Sequence, residues 1–204
     1  MMQSPEFNST LFNVVRQSMR CDEMFIYPNK PIRIYDIEKL KHSIDFKAWI
    51  VQPKWDGHRA IIACDESGKV QVFSRHKTHL RLAGDQWTWL NLLPFPRPWL
   101  VDGELLHSGR LVIWDYAIWG GAYLFNKPYS ERLKELETAL PNVLRKGNKS
   151  TLVISQVPAN RYKEILLKKG DKELEGIIFK NPQATDFWGP YRTREVPSQF
   201  KYRF

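Results

Sequence analysis

Apolar residues in this chain fall in short runs punctuated by turn formers, a pattern of strands and hairpins with few long helices. Ala48-Trp49-Ile50-Val51 and Ala60-Ile61-Ile62-Ala63 bracket a corner, Lys54-Trp55-Asp56-Gly57-His58-Arg59. Asp-Gly between two such runs predicts a hairpin turn that holds Lys54 at the lip of a sheet. A second hairpin is predicted from 60–64 to 70–73 around Asp65-Glu66-Ser67-Gly68, which leaves Ser74-Arg75-His76-Lys77 at a strand end. A third joins 99–106 to 111–119 through His107-Ser108-Gly109-Arg110. Acidic residues interrupt both of its strands. A carboxylate beside a core is costly unless a cation meets it, so Glu104 and Asp115 need partners, while Asp102, next to Gly103, fits a turn or bulge.

Helical spacing is sparser. Phe7, Leu11, Phe12, Val14, Val15 and Met19 predict a helix within an N-terminal extension over 1–30, ended by a break at Tyr27-Pro28-Asn29-Lys30-Pro31. Ser130 reads as an N-cap, with Glu131 in the first turn and Leu133, Leu136 and Leu140 on one face, before Pro141. A strand at 151–157 precedes an amphipathic helix over 158–169, with Tyr162, Ile165 and Leu166 inward and Gly170-Asp171 as its stop. Strands follow at Leu174–Lys180 and Phe200–Phe204. Short strands with two or three helices give an α+β class instead of a regular βαβ alternation.

Composition narrows the class. The 204 residues suit one domain with a good-sized core, and 43% hydrophobic content with eight tryptophans argues for a folded globular chain over a disordered one. No apolar run is long enough for a membrane span and no secretory pattern opens the chain, so an intracellular, soluble protein is expected. Cys21 and Cys64 lack any paired spacing, which points to reduced thiols and away from a disulfide framework or zinc knuckle. A formal net charge of +9 favours a polyanionic partner.

The order of the charged motifs then changes the picture. Lys54-Trp55-Asp56-Gly57-His58-Arg59, Ser74-Arg75, Asp102-Gly103-Glu104, Val112-Ile113-Trp114-Asp115-Tyr116, Glu175-Gly176-Ile177-Ile178-Phe179-Lys180 and Lys201-Tyr202-Arg203 follow one another along the chain. From about Gln52 to Phe204 this resembles the covalent nucleotidyltransferase superfamily, which contains the ATP-dependent DNA and RNA ligases and the mRNA capping enzymes. Lys201-Tyr202-Arg203 departs from the closing Lys-x-Lys by an arginine that keeps the charge and the phosphate reach. The resemblance implies a ligase-type nucleotidyltransferase fold of two packed, mainly antiparallel sheets flanked by helices, with the nucleotide in the cleft between them.

It also implies roles. Lys54 would be the nucleophile that attacks the α-phosphate of ATP, and Glu175 would bind or orient Mg2+ or Mn2+. Glu104 would hold the ribose. Arg59 and Arg75 would lie near ribose and α-phosphate, Gln52 would read the base, and Trp114 would either stack on the base or pack in the core. A lysine with a pKa of about 10.4 must give up ~4.6 kcal/mol to present a neutral amine at pH 7. Arg59, Lys180, Lys201 and Arg203 would reduce that cost and hold phosphates. Between 187 and 204, Arg192, Arg194, Lys201 and Arg203 interleave with six aromatics, a composition suited to phosphate and base contact or to a snorkelling sheet edge. His76 and Lys77 extend the basic set, and His76 with His79 reads as a surface pair near phosphates rather than a metal site.

The family usually continues past its closing motif into an OB-fold domain, and the expectation from this sequence, read to Phe204, is a nucleotidyltransferase domain without one. A minimal ligase, a domain completed by a clamp supplied in trans, and a remnant that binds without turnover are all compatible with that. The leading expectation is an ATP-dependent polynucleotide ligase acting on nicked double-stranded nucleic acid, with DNA favoured. An RNA ligase or capping-type guanylyltransferase is the alternative, and a non-catalytic nick- or end-binding module is the reading from another class. The 53 residues before Lys54 are few for the extra domain of the NAD-dependent branch, which favours ATP.

Overall fold

In a computed structural model of the chain, residues 26–204 are described apart from 77, 83, 92, 94, 125, 141–150 and 191–193. The helix expected before residue 26, Cys21, Lys77 and Arg192 lie outside the described residues. The first strands are β1 (Ile26–Pro28), β2 (Lys30–Arg33), β3 (Ile50–Trp55), β4 (Gly57–Cys64), β5 (Val70–Phe73), β6 (Trp99–Leu106), β7 (Leu111–Trp119) and β8 (Ala122–Tyr123). They are followed by β9 (Thr151–Val153), β10 (Val157–Pro158), β11 (Leu174–Lys180), β12 (Trp188–Pro190) and β13 (Glu195–Arg203). The helices are α1 (Ile37–Lys41), α2 (Gly84–Asn91), α3 (Tyr129–Ala139) and α4 (Lys163–Leu166).

Two large sheets carry the fold. One has five strands in the order β10-β3-β11-β13-β2; the other runs β5-β4-β6-β7-β8, with β9 beside β7. A third sheet pairs β1 with β12. All pairings are antiparallel except β13 with β2 and β7 with β9. The α+β class and the two mainly antiparallel sheets expected from the sequence are what the molecule has.

The six-stranded sheet is buried on both faces at its centre, where the neighbours Ile61 and Ile62 are each 0% exposed; its buried residues cluster with Leu90 of α2 and with Tyr129, Leu133 and Leu136 of α3. Val51, Ile177 and Phe179 on one face of the five-stranded sheet pack with Ile37 and Leu40 of α1 and with Tyr162 and Ile165. Beyond these cores, residues of both sheets turn toward a common cleft.

The hairpins at 65–68 and 107–110 form as their turn residues require, with Gly68 and Gly109 at φ 88° and 84°. The Asp56-Gly57 corner does not form a hairpin. β3 pairs with β10 and β11, whereas β4 pairs with β5 and β6, so the chain crosses from one sheet to the other at this point. The Asp56 amide donates to Glu173 O at 2.8 Å, and a Cβ on Gly57 would sit 2.4 Å from Leu105 O. Glycine is needed there for a close backbone approach, not for a turn.

Other local expectations shift. α3 starts one residue before Ser130, and no side chain caps it. The amides of Tyr129 and Ser130 donate instead to Ala184 O and Pro182 O, so the loop before β12 satisfies the orphan donors. The expected helix over 158–169 is broken into a 3-10 turn at Ala159–Arg161 and the short α4. Its buried residues Ala159, Tyr162 and Ile165 are spaced by three, the period of a 3-10 turn. The strand expected over 151–157 is divided between β9 and β10, which join different sheets. The break read at 27–31 is strand on either side of Asn29, with Pro31 tolerated because β2 is an edge strand.

Candidate active site

Strand alternation sets the five-stranded wall of the cleft. Across β3, β11 and β13, Lys54 pairs with Gly176 and Gly176 with Arg203; Gln52 pairs with Ile178 and Ile178 with Lys201; Lys180 pairs with Gln199. Residues at every second position share a face, so Gln52, Lys54, Ile178, Lys180, Gln199, Lys201 and Arg203 all line the cleft. Glu175 is out of phase with that set. A register shift between Leu174 and Gly176 bulges the strand and turns Glu175 to the cleft, while Leu174 drops into the core. Glycine follows because a Cβ at 176 would meet Tyr202 O at 2.0 Å.

The six-stranded wall presents Arg59, Asp102, Glu104 and Trp114. Arg59 and Glu104 are directly opposite on β4 and β6, and a shift between Asp102 and Gly103 re-aims Trp114 on β7. Asp102 is 2% exposed and takes Arg59 in a fork, with Nε 2.8 Å from Oδ1 and Nη2 on Oδ2. Trp114 Nε1 donates to the same Oδ2 at 2.8 Å. Asp102 therefore sits in a bulged strand, as one of its two readings had it, and fixes both the arginine and the indole. Glu104 meets no described cation at ion-pair distance, contrary to the expectation of a direct partner; it faces the cleft and Lys54 across it. Asp115 has its partner in Arg132, at 2.7 and 3.0 Å, with Trp188 Nε1 at 3.0 Å.

The cleft is about 840 Å³, ample for a nucleotide. Burial lowers the pKa of Lys54 to about 8; Glu104 opposes, and Arg203 and Lys201 push it further down. Glu175 ion-pairs with Lys54 and, at 3.1 Å, with Arg203 Nη2. Burial raises Glu104 to about 7 against the pull of Lys54 and Arg59. Lys201 is also lowered, chiefly by burial. Lys180 lies at the deep end, 4% exposed, with Nζ 4.3 Å from the Tyr129 ring centroid and 5.9 Å from that of Trp114. Burial brings it down to about 7.

Among the described residues no cluster of three or more His, Cys, Asp or Glu side chains forms a metal cage. Glu175, a carboxylate facing the cleft, fits a different arrangement: a magnesium ion that keeps most of its waters and takes only one or two carboxylates.

Of the other candidates, Arg75 and His76 project from the turn after β5, where buried Ser74 accepts the His76 amide at 3.0 Å, and both line the cleft mouth. His79 instead packs on Phe73, ring centroids 4.6 Å apart. Arg194 is exposed beside Lys30, whose amide donates to its carbonyl, and lies outside the cleft lining. Read from sequence, Lys30, which lines the mouth, and Tyr129 and Arg132, which stand behind the walls, had no role, and Asp102 was only a turn or bulge residue of its motif. The face of α3 carried a signal: Arg132 interrupts the apolar set Tyr129, Leu133 and Leu136, and a buried Asp115 called for it.

No helix of the described residues is long and apolar enough to cross a membrane. No protein-family model matches the chain. An uncharacterised protein of the killer plasmid pGKl-2 of Kluyveromyces lactis is 25% identical over 154 residues, 76% of this chain and 23% of that protein. Solved structures agree at lower identity. The ligase domain of M. tuberculosis LigD matches at TM-score 0.55 and 19% identity, covering 86% of this chain and 59% of that one. The ATP-dependent DNA ligase of bacteriophage T7, in complex with ATP, matches at 0.58 and 13%, covering 86% and 68%. The Chlorella virus DNA ligase-adenylate gives 0.54 and 16%, covering 87% and 69%. The chain thus spans under a quarter of the plasmid protein and roughly two thirds of these ligase chains. Its fold is that of the nucleotidyltransferase domains of the ATP-dependent DNA ligases.

Proposed function

We propose that the chain is the nucleotidyltransferase of an ATP-dependent polynucleotide ligase, acting on nicked duplex DNA and forming lysyl-AMP on Lys54. The observation that carries this reading is the placement of Lys54: a half-buried amine on the cleft face, with Arg203 on its own row across β11 and Lys201 on the next row. A neutral Lys54 Nζ attacks the α-phosphorus; the P–N bond forms as the bond to the β-phosphate oxygen breaks, and pyrophosphate leaves. Lys201 and Arg203 hold the phosphates whose charge shifts in that step. Glu104 accepts from the ribose hydroxyls, Gln52 and Trp114 take the base, and Arg59, steadied by Asp102, faces the sugar and α-phosphate. Glu175 would hold a Mg2+ ion, which would supply charge neutralisation at the phosphates. AMP then passes to a 5′-phosphate, and a 3′-hydroxyl displaces it as the nick is sealed.

The test is incubation with magnesium and α-labelled ATP or GTP, followed by denaturing electrophoresis. Label from ATP that is absent in Lys54→Ala is the expected result. Label from GTP alone would replace this reading with a capping-type guanylyltransferase, and tight binding of nicked duplex with no label from either would replace it with a non-catalytic module. Sealing assays on nicked DNA and nicked RNA then decide the polymer.

A further inference from the structure

Behind the deep end of the cleft lies Tyr129, 0% exposed and outside the cleft lining, whose hydroxyl is surrounded by three polar groups. Trp114 O is 2.8 Å away, Gln52 Nε2 2.7 Å and Lys180 Nζ 3.2 Å. A backbone carbonyl only accepts, so the single hydroxyl proton goes to Trp114 O. Lys180 Nζ, as ammonium or as amine, still carries N–H bonds, and with the hydroxyl proton committed to Trp114 O it donates to one lone pair of Oη. The atom of Gln52 that faces Oη must then be a donor, which makes it the amide nitrogen on chemical grounds alone. No described residue donates to Gln52 Oε1, and Gln52, although only 1% exposed, is one of the residues that line the cleft.

A glutamine amide that can flip is an ambiguous reader of purines. Adenine carries a donor at position 6 and an acceptor at position 1, guanine the reverse, and a half-turn of the amide exchanges one match for the other. Here the flip would set Oε1 against an oxygen with no proton left to give. Gln52 lies two residues deeper than Lys54 on the same strand face, beside Trp114, so a nucleotide with its phosphates at Lys54 carries its base to this amide. We infer that Tyr129 is the specificity-determining positioning residue of the nucleotide site: it locks the Gln52 amide with Oε1 toward the base and thereby selects adenine over guanine. The inference rests on the proposed nucleotidyltransferase reading and adds to it a lock that no cleft-lining residue supplies.

Binding of ATP, GTP and ITP to the wild-type protein, measured by titration calorimetry with magnesium, tests the lock without any variant. ITP carries guanine's order at positions 6 and 1 without the 2-amino group. ATP is expected to bind roughly ten- to a hundredfold more tightly than either. ITP binding as tightly as ATP would overturn the lock. Tyr129→Phe, which keeps the ring in its packing, is expected to bring the ATP-to-GTP ratio within a few-fold of one, while Gln52→Leu collapses it equally. In the double variant Tyr129→Phe adds nothing to Gln52→Leu, the signature of acting through that residue. A ratio unchanged by Tyr129→Phe, or two independent additive effects, would refute the inference while covalent labelling of Lys54 left the proposed function intact. Selective binding lost in Tyr129→Phe without any covalent label would do the opposite, and binding of no purine nucleotide would sink both.

Discussion

At Lys54 the chemistry turns on one proton. Moving the amine from its ordinary 10.5 to about 8 raises its neutral fraction at pH 7 about 300-fold. Because the pKa is lowered, the reactive form grows as pH rises toward 8 and saturates above it. Glu104, raised to about 7, is protonated below that value, and in the proposed mechanism it would then offer the ribose a proton where an acceptor is needed. Single-turnover labelling at saturating ATP is therefore expected to be flat above about pH 8, to fall tenfold per unit between about 8 and 7, and to fall more steeply below. Glu104→Gln should remove the lower bend and keep the upper one. A rate still climbing tenfold per unit at pH 10 would mean that the amine is an ordinary lysine.

Secondary-structure elements hold that lysine in place through a defect. The bulge at Glu175 brings a carboxylate to the cleft face, and it survives because Gly176 lets β13 close over it with no Cβ in the way. Gly176→Ala must push β11 from β13 at the row that joins Lys54 to Arg203. The expected cost is about 1–3 kcal/mol, a fall in Tm of roughly 2–10 °C, together with loss of most Lys54 labelling. Melting and labelling unchanged in that variant would show that the strands separate freely. Elements of this kind divide by how local their causes are. The hairpins at 65–68 and 107–110 were legible because their turns are written in four consecutive residues. The Asp56-Gly57 crossing was not, since only the pairing of β4 with β6, some 45 residues later in sequence, shows that this glycine serves Leu105 rather than a turn. The motif residues on β3, β6, β7, β11 and β13 were legible as a set and do line one cleft. Of their supports, Asp102 was legible only as a bulge and Arg132 only as a break in an apolar helix face, while Tyr129 was not legible, because its hydrogen bond with Gln52 spans 77 positions and leaves no local pattern.

Taken whole, a chain with a net charge of +9 sets several of its described cations around the mouth of the cleft. Lys30 and Lys201 line the cleft mouth, Arg33 pairs with Lys201 across the β2 edge, and Arg75 and His76 face them from the other sheet. Tyr35, 78% exposed, lies just beyond β2 with the Arg33 guanidinium 4.8 Å over its ring. Exposed cations of this kind bind by releasing counterions, which makes their contribution readable as a salt slope. If Lys30, Arg33 and Arg75 each neutralise one phosphate, log affinity for a nicked duplex falls with log salt at a slope of about −2.7. Between ~50 and ~200 mM salt that is a loss of roughly 40-fold. Lys30→Gln and Arg33→Gln are each expected to reduce the slope by about 0.9 and to weaken binding alike on every sequence, since a phosphate contact carries no base information. A slope near zero, or one that neither substitution changes, would move the nucleic acid to another face and leave the rim of the cleft to the nucleotide alone.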